Sequence, residues 1–255
     1  MRRLSTLLVP LLLGLTACGG AASSPQGQDA EVQLFAAASL GAVGDELIAA
    51  YRQENPQVSI TATYAGSSQL ITQMVEGATP DLLITADSTT MDQALEKVEE
   101  LDAATPETIA TNALVLATAP SNPAAIDSLD DLASPGVLTA ICAEQVPCGR
   151  LAHQELTRQG VELATSTEEA NVSAVATKVA TGQVDAGFIY STDATAISAT
   201  DDITVVSLPQ VERNAYPLAL TGSGQGKESA QNFANWLTTS DAAAQILADY
   251  GFEPA

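Results

Sequence analysis

The chain has 255 residues, nine Lys and Arg against 31 Asp and Glu, and a formal net charge of −22. A surface of that sign lacks the cations that a nucleic-acid backbone requires, which excludes nucleic acid as a partner, and it offers no long-range attraction to a small anion. The length allows a large core, built as one domain or as two lobes.

Residues 1–17 are predicted to be an export signal: Arg2 and Arg3 precede an apolar run from Leu7 to Leu15 that ends in small residues. The run is shorter than the roughly 20 residues of a membrane span. Leu15-Thr16-Ala17-Cys18 resembles a bacterial lipobox, which implies lipidation of Cys18 and an anchor on the outer face of the cytoplasmic membrane; an ordinary signal peptide with an incidental cysteine, leaving a periplasmic protein, is the alternative. Residues 18–30, with Gly19-Gly20 and Pro25, read as a tether. In an exported chain the two remaining cysteines, Cys142 and Cys148, are expected to form a disulfide that pins one local loop. No metal site of protein ligands is expected, since His153 is the only histidine.

From Glu31 onward strand-like and helix-like segments alternate, which predicts an α/β architecture. Val32 to Phe35 reads as a strand, and Leu40 to Asn55 as a helix with Leu40, Val43, Leu47, Ile48 and Tyr51 on one face. Val58 to Tyr64 alternates as a strand, Ser67 to Glu76 reads as a helix, and Asp81 to Thr85 as a buried strand. The scheme restarts with strands at Ala113 to Thr118 and Val137 to Ile141, separated by a helical turn at Leu129 to Ala133. Helices at Gly149 to Gln159 and Ala170 to Thr181 precede a strand at Ala186 to Tyr190. Strands at Val205 to Leu208 and Pro217 to Leu220, then helices at Ala230 to Leu237 and Asp241 to Asp249, close the chain. Two lobes are expected, one from residues 31–111 plus 213–255 and the other from 112–212.

Four helix starts share one character. Ala37-Ala38-Ser39, Gly66-Ser67-Ser68, Pro147-Cys148-Gly149 and Asn171-Val172 each open a helix through small or hydroxyl residues. A helix N-terminus presents unpaired N–H groups and the positive end of the macrodipole, and small residues let an anion reach them. Arg150 is the only basic residue beside any of these turns, and no carboxylate lies in them. Such a set is almost wholly donors, which suits a fully deprotonated oxyanion better than hydrogen phosphate, whose proton needs an acceptor.

The segments "FAAASL", "GSSQLITQMVEGATPDLLITAD", "VPCG", "DAGFIYSTDA", "YPLAL" and the closing "YGF" are together similar to the molybdate-binding proteins of bacterial ABC importers, from about Val32 to Phe252. The resemblance implies a two-lobed, class-II periplasmic-binding-protein fold, each lobe a mixed sheet flanked by helices, with the ligand in the cleft between them. It also implies Ser39 and Ser67 as hydroxyl and amide donors from one lobe. From the other it implies backbone N–H groups of Cys148 and Val172 and the phenol of Tyr190. The chain departs from the family pattern at Gly66, where a serine is common, and at Cys148, where a smaller residue is usual. The implied function is high-affinity binding of molybdate, and of its near twin tungstate, for delivery to an ABC permease. No cofactor is implied, the molybdenum enters only as the oxyanion, and a monomer is expected. Sulfate or another tetrahedral oxyanion is the alternative ligand. A secreted serine hydrolase, with Ser39 or Ser67 as nucleophile, would depend on His153 as base, and the chain has no Gly-x-Ser-x-Gly elbow. Asp185, Asp193 and Asp130-Asp131 are expected to be caps or solvated charges, and His153 a surface or structural residue.

Overall fold

A computed structural model describes residues 31–208, 210, 211 and 213–253. The predicted leader, Cys18 and the tether lie outside the described residues. The fold consists of two five-stranded mixed sheets. The first contains β1 (Glu31–Ala37), β2 (Ser59–Ala65), β3 (Leu82–Ile84), β4 (Glu107–Asn112) and β10 (Asn214–Leu220), in the order β2-β1-β3-β10-β4. The second contains β5 (Leu114–Thr118), β6 (Leu138–Cys142), β7 (Thr165–Glu169), β8 (Ala186–Tyr190) and β9 (Val205–Ser207), in the order β7-β6-β8-β5-β9. In each sheet three parallel strands sit together, and an antiparallel strand follows the third: β10 beside β3, and β5 beside β8. The chain crosses between lobes after Asn112 and returns at Asn214, two residues that face each other in the β4–β10 pair.

The parallel strands require helical crossovers, and the helices cover the sheets. In the first lobe these are α1 (Gly41–Glu54), α2 (Ser67–Val75) and α3 (Ser88–Lys97). In the second they are α4 (Pro147–Gln159), α5 (Val172–Ala180) and α6 (Ser191–Ser198). The short α7 (Gly222–Gln225), α8 (Glu228–Thr239) and α9 (Asp241–Asp249) follow β10. Alternation along β1 and β3 divides the first lobe's core between two faces. Val32, Leu34, Ala36, Leu82 and Ile84 meet α1, α8 and α9 on one face, while Phe35 and Leu83 meet α2 and α3 on the other. The C-terminal helices thus return to the first lobe, where Phe233 packs against Tyr51 at 4.9 Å between ring centroids.

Most element positions agree with the sequence reading; the differences have physical causes. The strand expected from Pro217 begins at Asn214, because a register shift between Ala215 and Pro217 accommodates a residue with no N–H. The helix expected from Ala170 begins at Val172, since Thr165–Glu169 forms an edge strand whose polar sequence carries no apolar alternation. The polar β4 and α3, and the small-residue helix α6, were likewise not anticipated.

Phe233 is 1% exposed and stacks on Trp236, the single tryptophan, at an interplanar angle of 15°. Phe233→Ala is expected to cost about 3–5 kcal/mol of stability in urea unfolding followed by Trp236 fluorescence; a loss below 1 kcal/mol would show that α8 contributes little to the first lobe.

Candidate functional site

The carboxyl ends of all six parallel strands converge on one small cavity between the lobes. From β1, β2 and β3 it receives Ala37-Ala38-Ser39, Gly66-Ser67 and Ala86; from β6, β7 and β8 it receives Val146-Pro147-Cys148, Asn171-Val172 and Tyr190. This is where parallel α/β sheets place ligands, because the helices that follow the strands aim their N-termini there. All five predicted site residues, Ser39, Ser67, Cys148, Val172 and Tyr190, line the cavity. His153 does not, so the geometry gives the hydrolase reading no support.

Three of the four helix starts at the cavity have no side-chain cap. The N-cap positions before Ala38–Leu40, α2 and α4 are Ala37, Gly66 and Val146, none of which caps with a side chain. Elsewhere α3, α7 and α9 start on Asp87, Thr221 and Ser240, whose side chains accept first-turn amides. In α4, Pro147 brings no N–H, so the first amides are those of Cys148 and Gly149. Asn171 caps α5 by accepting from the Ala174 N–H at 3.0 Å, which leaves the Val172 amide to the cavity.

The hydroxyl oxygens of Ser67 and Tyr190, by contrast, are already supplied with donors. Ser67 Oγ accepts the Ala86 N–H at 3.1 Å. Tyr190 Oη accepts from Asn214 Nδ2 at 2.5 Å. Ser39 Oγ lies 3.0 Å from Tyr216 Oη, and Asn112 Nδ2 lies 3.5 Å from that same phenol oxygen. A hydroxyl whose oxygen accepts in this way keeps its proton to donate. Burial holds the Tyr190 and Tyr216 phenols well above their ordinary range, so both stay protonated at neutral pH. The cavity lining therefore presents hydroxyl and amide donors and no charged side chain.

The lobes are closed on each other around this space. Ser68 Oγ donates to the Gln145 carbonyl at 2.6 Å and Ser173 Oγ to the Ala38 carbonyl at 3.3 Å. The first bond separates the two serines of α2: Ser68 bridges the lobes and Ser67 faces the cavity. A Cβ at Gly66 would lie 2.5 Å from the Ala170 carbonyl oxygen, so close approach of the lobes accounts for glycine at this position. Arg150 does not reach the cavity; its guanidinium pairs with Asp87 and lies 3.2 Å from Thr90 Oγ1, so α4 of one lobe is tied to α3 of the other. Cys142 and Cys148 are disulfide-bonded, joining the end of β6 to the first turn of α4. Gly149 is required in that turn, since a Cβ would lie 2.0 Å from the Ala143 carbonyl oxygen.

Asp131 and Asp193 act as caps, as expected, whereas Asp185 joins a loop to a strand. Asp131 accepts from the Asp127 and Ser128 amides and the Ser128 hydroxyl, and those bonds hold its carboxyl below the usual range. Asp185 accepts the Leu138 N–H at 2.8 Å, tying a loop to β6. Asp193 reaches back from α6 to the Tyr190 N–H at 3.2 Å. Sequence reasoning did not find Asn112, Asn214 or Tyr216 as neighbours of the site hydroxyls; the only available signal was an asparagine at each crossing between lobes.

Two outcomes follow. Removing the disulfide with Cys142→Ala and Cys148→Ala is expected to cost about 2 kcal/mol of stability, as for a short loop, while changing anion affinity less than loss of a cavity hydroxyl does. Equal losses of affinity would show that the cysteine side chains matter to the cavity beyond their amides. Burial pushes the Asp193 carboxyl up to about 7 against the lowering effect of the Tyr190 N–H. The unfolded chain ionises this group at about 4, so its contribution is fullest below that pH and is lost as pH rises through about 7. Asp193→Asn is thus expected to gain stability relative to the unsubstituted chain across that window in urea titrations; a pH-independent difference would contradict the raised value.

The chain is 37% identical to the molybdate-binding protein ModA of Mycobacterium tuberculosis over 258 aligned positions, covering 98% of this chain and 97% of that protein. Its fold is similar to that of the Azotobacter vinelandii periplasmic molybdate-binding protein, with a TM-score of 0.77 at 20% identity over 88% of this chain and 99% of that one. The sulfate-binding protein SubI of M. tuberculosis shares the fold as well, with a TM-score of 0.74 at 18% identity over 88% of this chain and 87% of that one. Residues 32–253 match the family described as bacterial extracellular solute-binding protein, and the chain belongs to that family.

Proposed function

We propose that this chain is the extracytoplasmic receptor for molybdate, and for its near twin tungstate, of a bacterial ABC importer, acting as a monomer that hands the oxyanion to a membrane permease. Ser39, Ser67 and Tyr190 would donate hydroxyl protons, and the Ser39, Ser67, Cys148 and Val172 amides would complete the set. The observation that carries this reading is a cavity lined by donors and no charged side chain: the Ser67 and Tyr190 hydroxyls, whose oxygens already accept, the Ser39 hydroxyl, and three helix starts without side-chain caps. Neutral donors fixed in a closed, water-poor site hold an anion more strongly than they do in water. Hydrogen phosphate is disfavoured because its proton would meet no carboxylate in the lining. The identity of 37% to a protein named for molybdate binding supports the choice among oxyanions. Anchoring through a lipidated Cys18 is part of the same proposal, and would keep the receptor beside its permease.

Isothermal titration with molybdate, tungstate, sulfate and phosphate tests it. Molybdate and tungstate are expected to bind at or below micromolar concentration, with sulfate weaker and phosphate weakest; absence of binding by the first two would overturn the reading. Ser39→Ala and Tyr190→Phe are each expected to weaken binding by about 1–3 kcal/mol, the effect of removing a hydrogen bond to a charged group. Unchanged affinity in both variants would place the donors elsewhere.

A further inference from the structure

The two asparagines that mark the crossings between lobes also supply the site hydroxyls. Asn112 ends β4, Asn214 begins β10, and the pair face each other across the two strands. They are 1% and 2% exposed. Each reaches into the second lobe. Asn112 Nδ2 donates to Thr192 Oγ1 at 2.9 Å, and its Oδ1 accepts from Ser191 Oγ at 2.7 Å. Asn214 Nδ2 donates to Tyr190 Oη at 2.5 Å, and its second proton goes to the Ala86 carbonyl of the first lobe at 2.6 Å. Asn214 thus holds the phenol that lines one wall of the cavity to the backbone of the opposite wall. Asn112 Nδ2 also lies 3.5 Å from Tyr216 Oη, and that phenol oxygen is within hydrogen-bond distance of Ser39 Oγ at 3.0 Å.

A phenol or alcohol can rotate its proton between acceptors, and a donor placed on its oxygen removes half of that freedom. We propose that Asn112 and Asn214 are positioning residues, which tie the placement of the two lobes to the direction in which the Ser39 and Tyr190 protons point. Neither touches the ligand. Asn214 acts through Tyr190, and Asn112 acts through Tyr216 and Ser39. A purely structural role for the pair, holding β4 to β10, would weaken binding by the same factor whatever stands at positions 190 and 39. Action through the hydroxyls would not.

The inference rests on the oxyanion reading, and a double-mutant cycle separates the two. Molybdate is titrated calorimetrically into the unsubstituted chain, Asn214→Ser, Tyr190→Phe and the double variant. Asn214→Ser is expected to weaken binding roughly tenfold when Tyr190 is present, and less than twofold when Phe replaces it. Equal losses in both backgrounds, or no loss in either, would overturn the coupling while leaving the receptor reading intact. Failure of the unsubstituted chain to bind molybdate would overturn the receptor reading, and the coupling with it. The thermal midpoint without ligand checks that each variant folds. If Asn214→Ser does not fold, Asn112→Ser with and without Ser39→Ala provides the same cycle on the other arm, with the same two outcomes.

Discussion

An anion enclosed between two protein lobes, with no cation in contact, has to be held by N–H and O–H groups that have no other acceptor. The account of this chain depends on that constraint. It accounts for three of the four cavity-facing helix starts, at Ala37, Gly66 and Val146, which have no side-chain cap, whereas Asn171 caps the fourth through Ala174 and leaves the Val172 amide open. It also explains why Arg150 is paired with Asp87 outside the cavity: a guanidinium at the ligand would attract anions with less regard to their geometry. Two sheets of matching strand order bring six strand ends to one point, so the donors arrive from both sides without any long loop.

Closure follows from small residues as much as from bonds. Gly66 lets the two walls meet at Ala170, and Ser68 and Ser173 fasten them to Gln145 and Ala38. The closed arrangement leaves a small space between the lobes, lined by Ser39, Ser67, Cys148, Val172 and Tyr190. Dipoles and neutral hydroxyls are effective holders only when so enclosed. The disulfide and Gly149 shape the single loop that brings the Cys148 amide to the same point.

Much of this was legible in the sequence because it is local. A strand followed at once by small residues and a helix is a pattern of neighbours, and it identified the turns at Ser39, Ser67, Cys148 and Val172. Gly66 was noticed as a departure, but its reason lies in Ala170, more than a hundred residues away. Asn112 and Asn214 were not recognised, since their partners Thr192 and Tyr190 belong to the other lobe. The strand Thr165–Glu169 and the helix Ser191–Ser198 escaped for a different reason. Their residues are polar or small, and pairing with β6 in one case and packing beneath β8 in the other holds them in place. Periodicity reports a face that meets a core, and these elements have little of one.

The central claim is that the oxyanion sits where the six strand ends meet, held by the donors of both lobes. A crystal structure of the chain grown with molybdate, with anomalous scattering recorded at the molybdenum edge, tests it most directly. The account predicts one strong molybdenum peak in the cavity, with the hydroxyls of Ser39, Ser67 and Tyr190 and the amides of Cys148 and Val172 within hydrogen-bond distance of its oxygens. A peak outside the cavity, or one in contact with Arg150 in place of these donors, would contradict it.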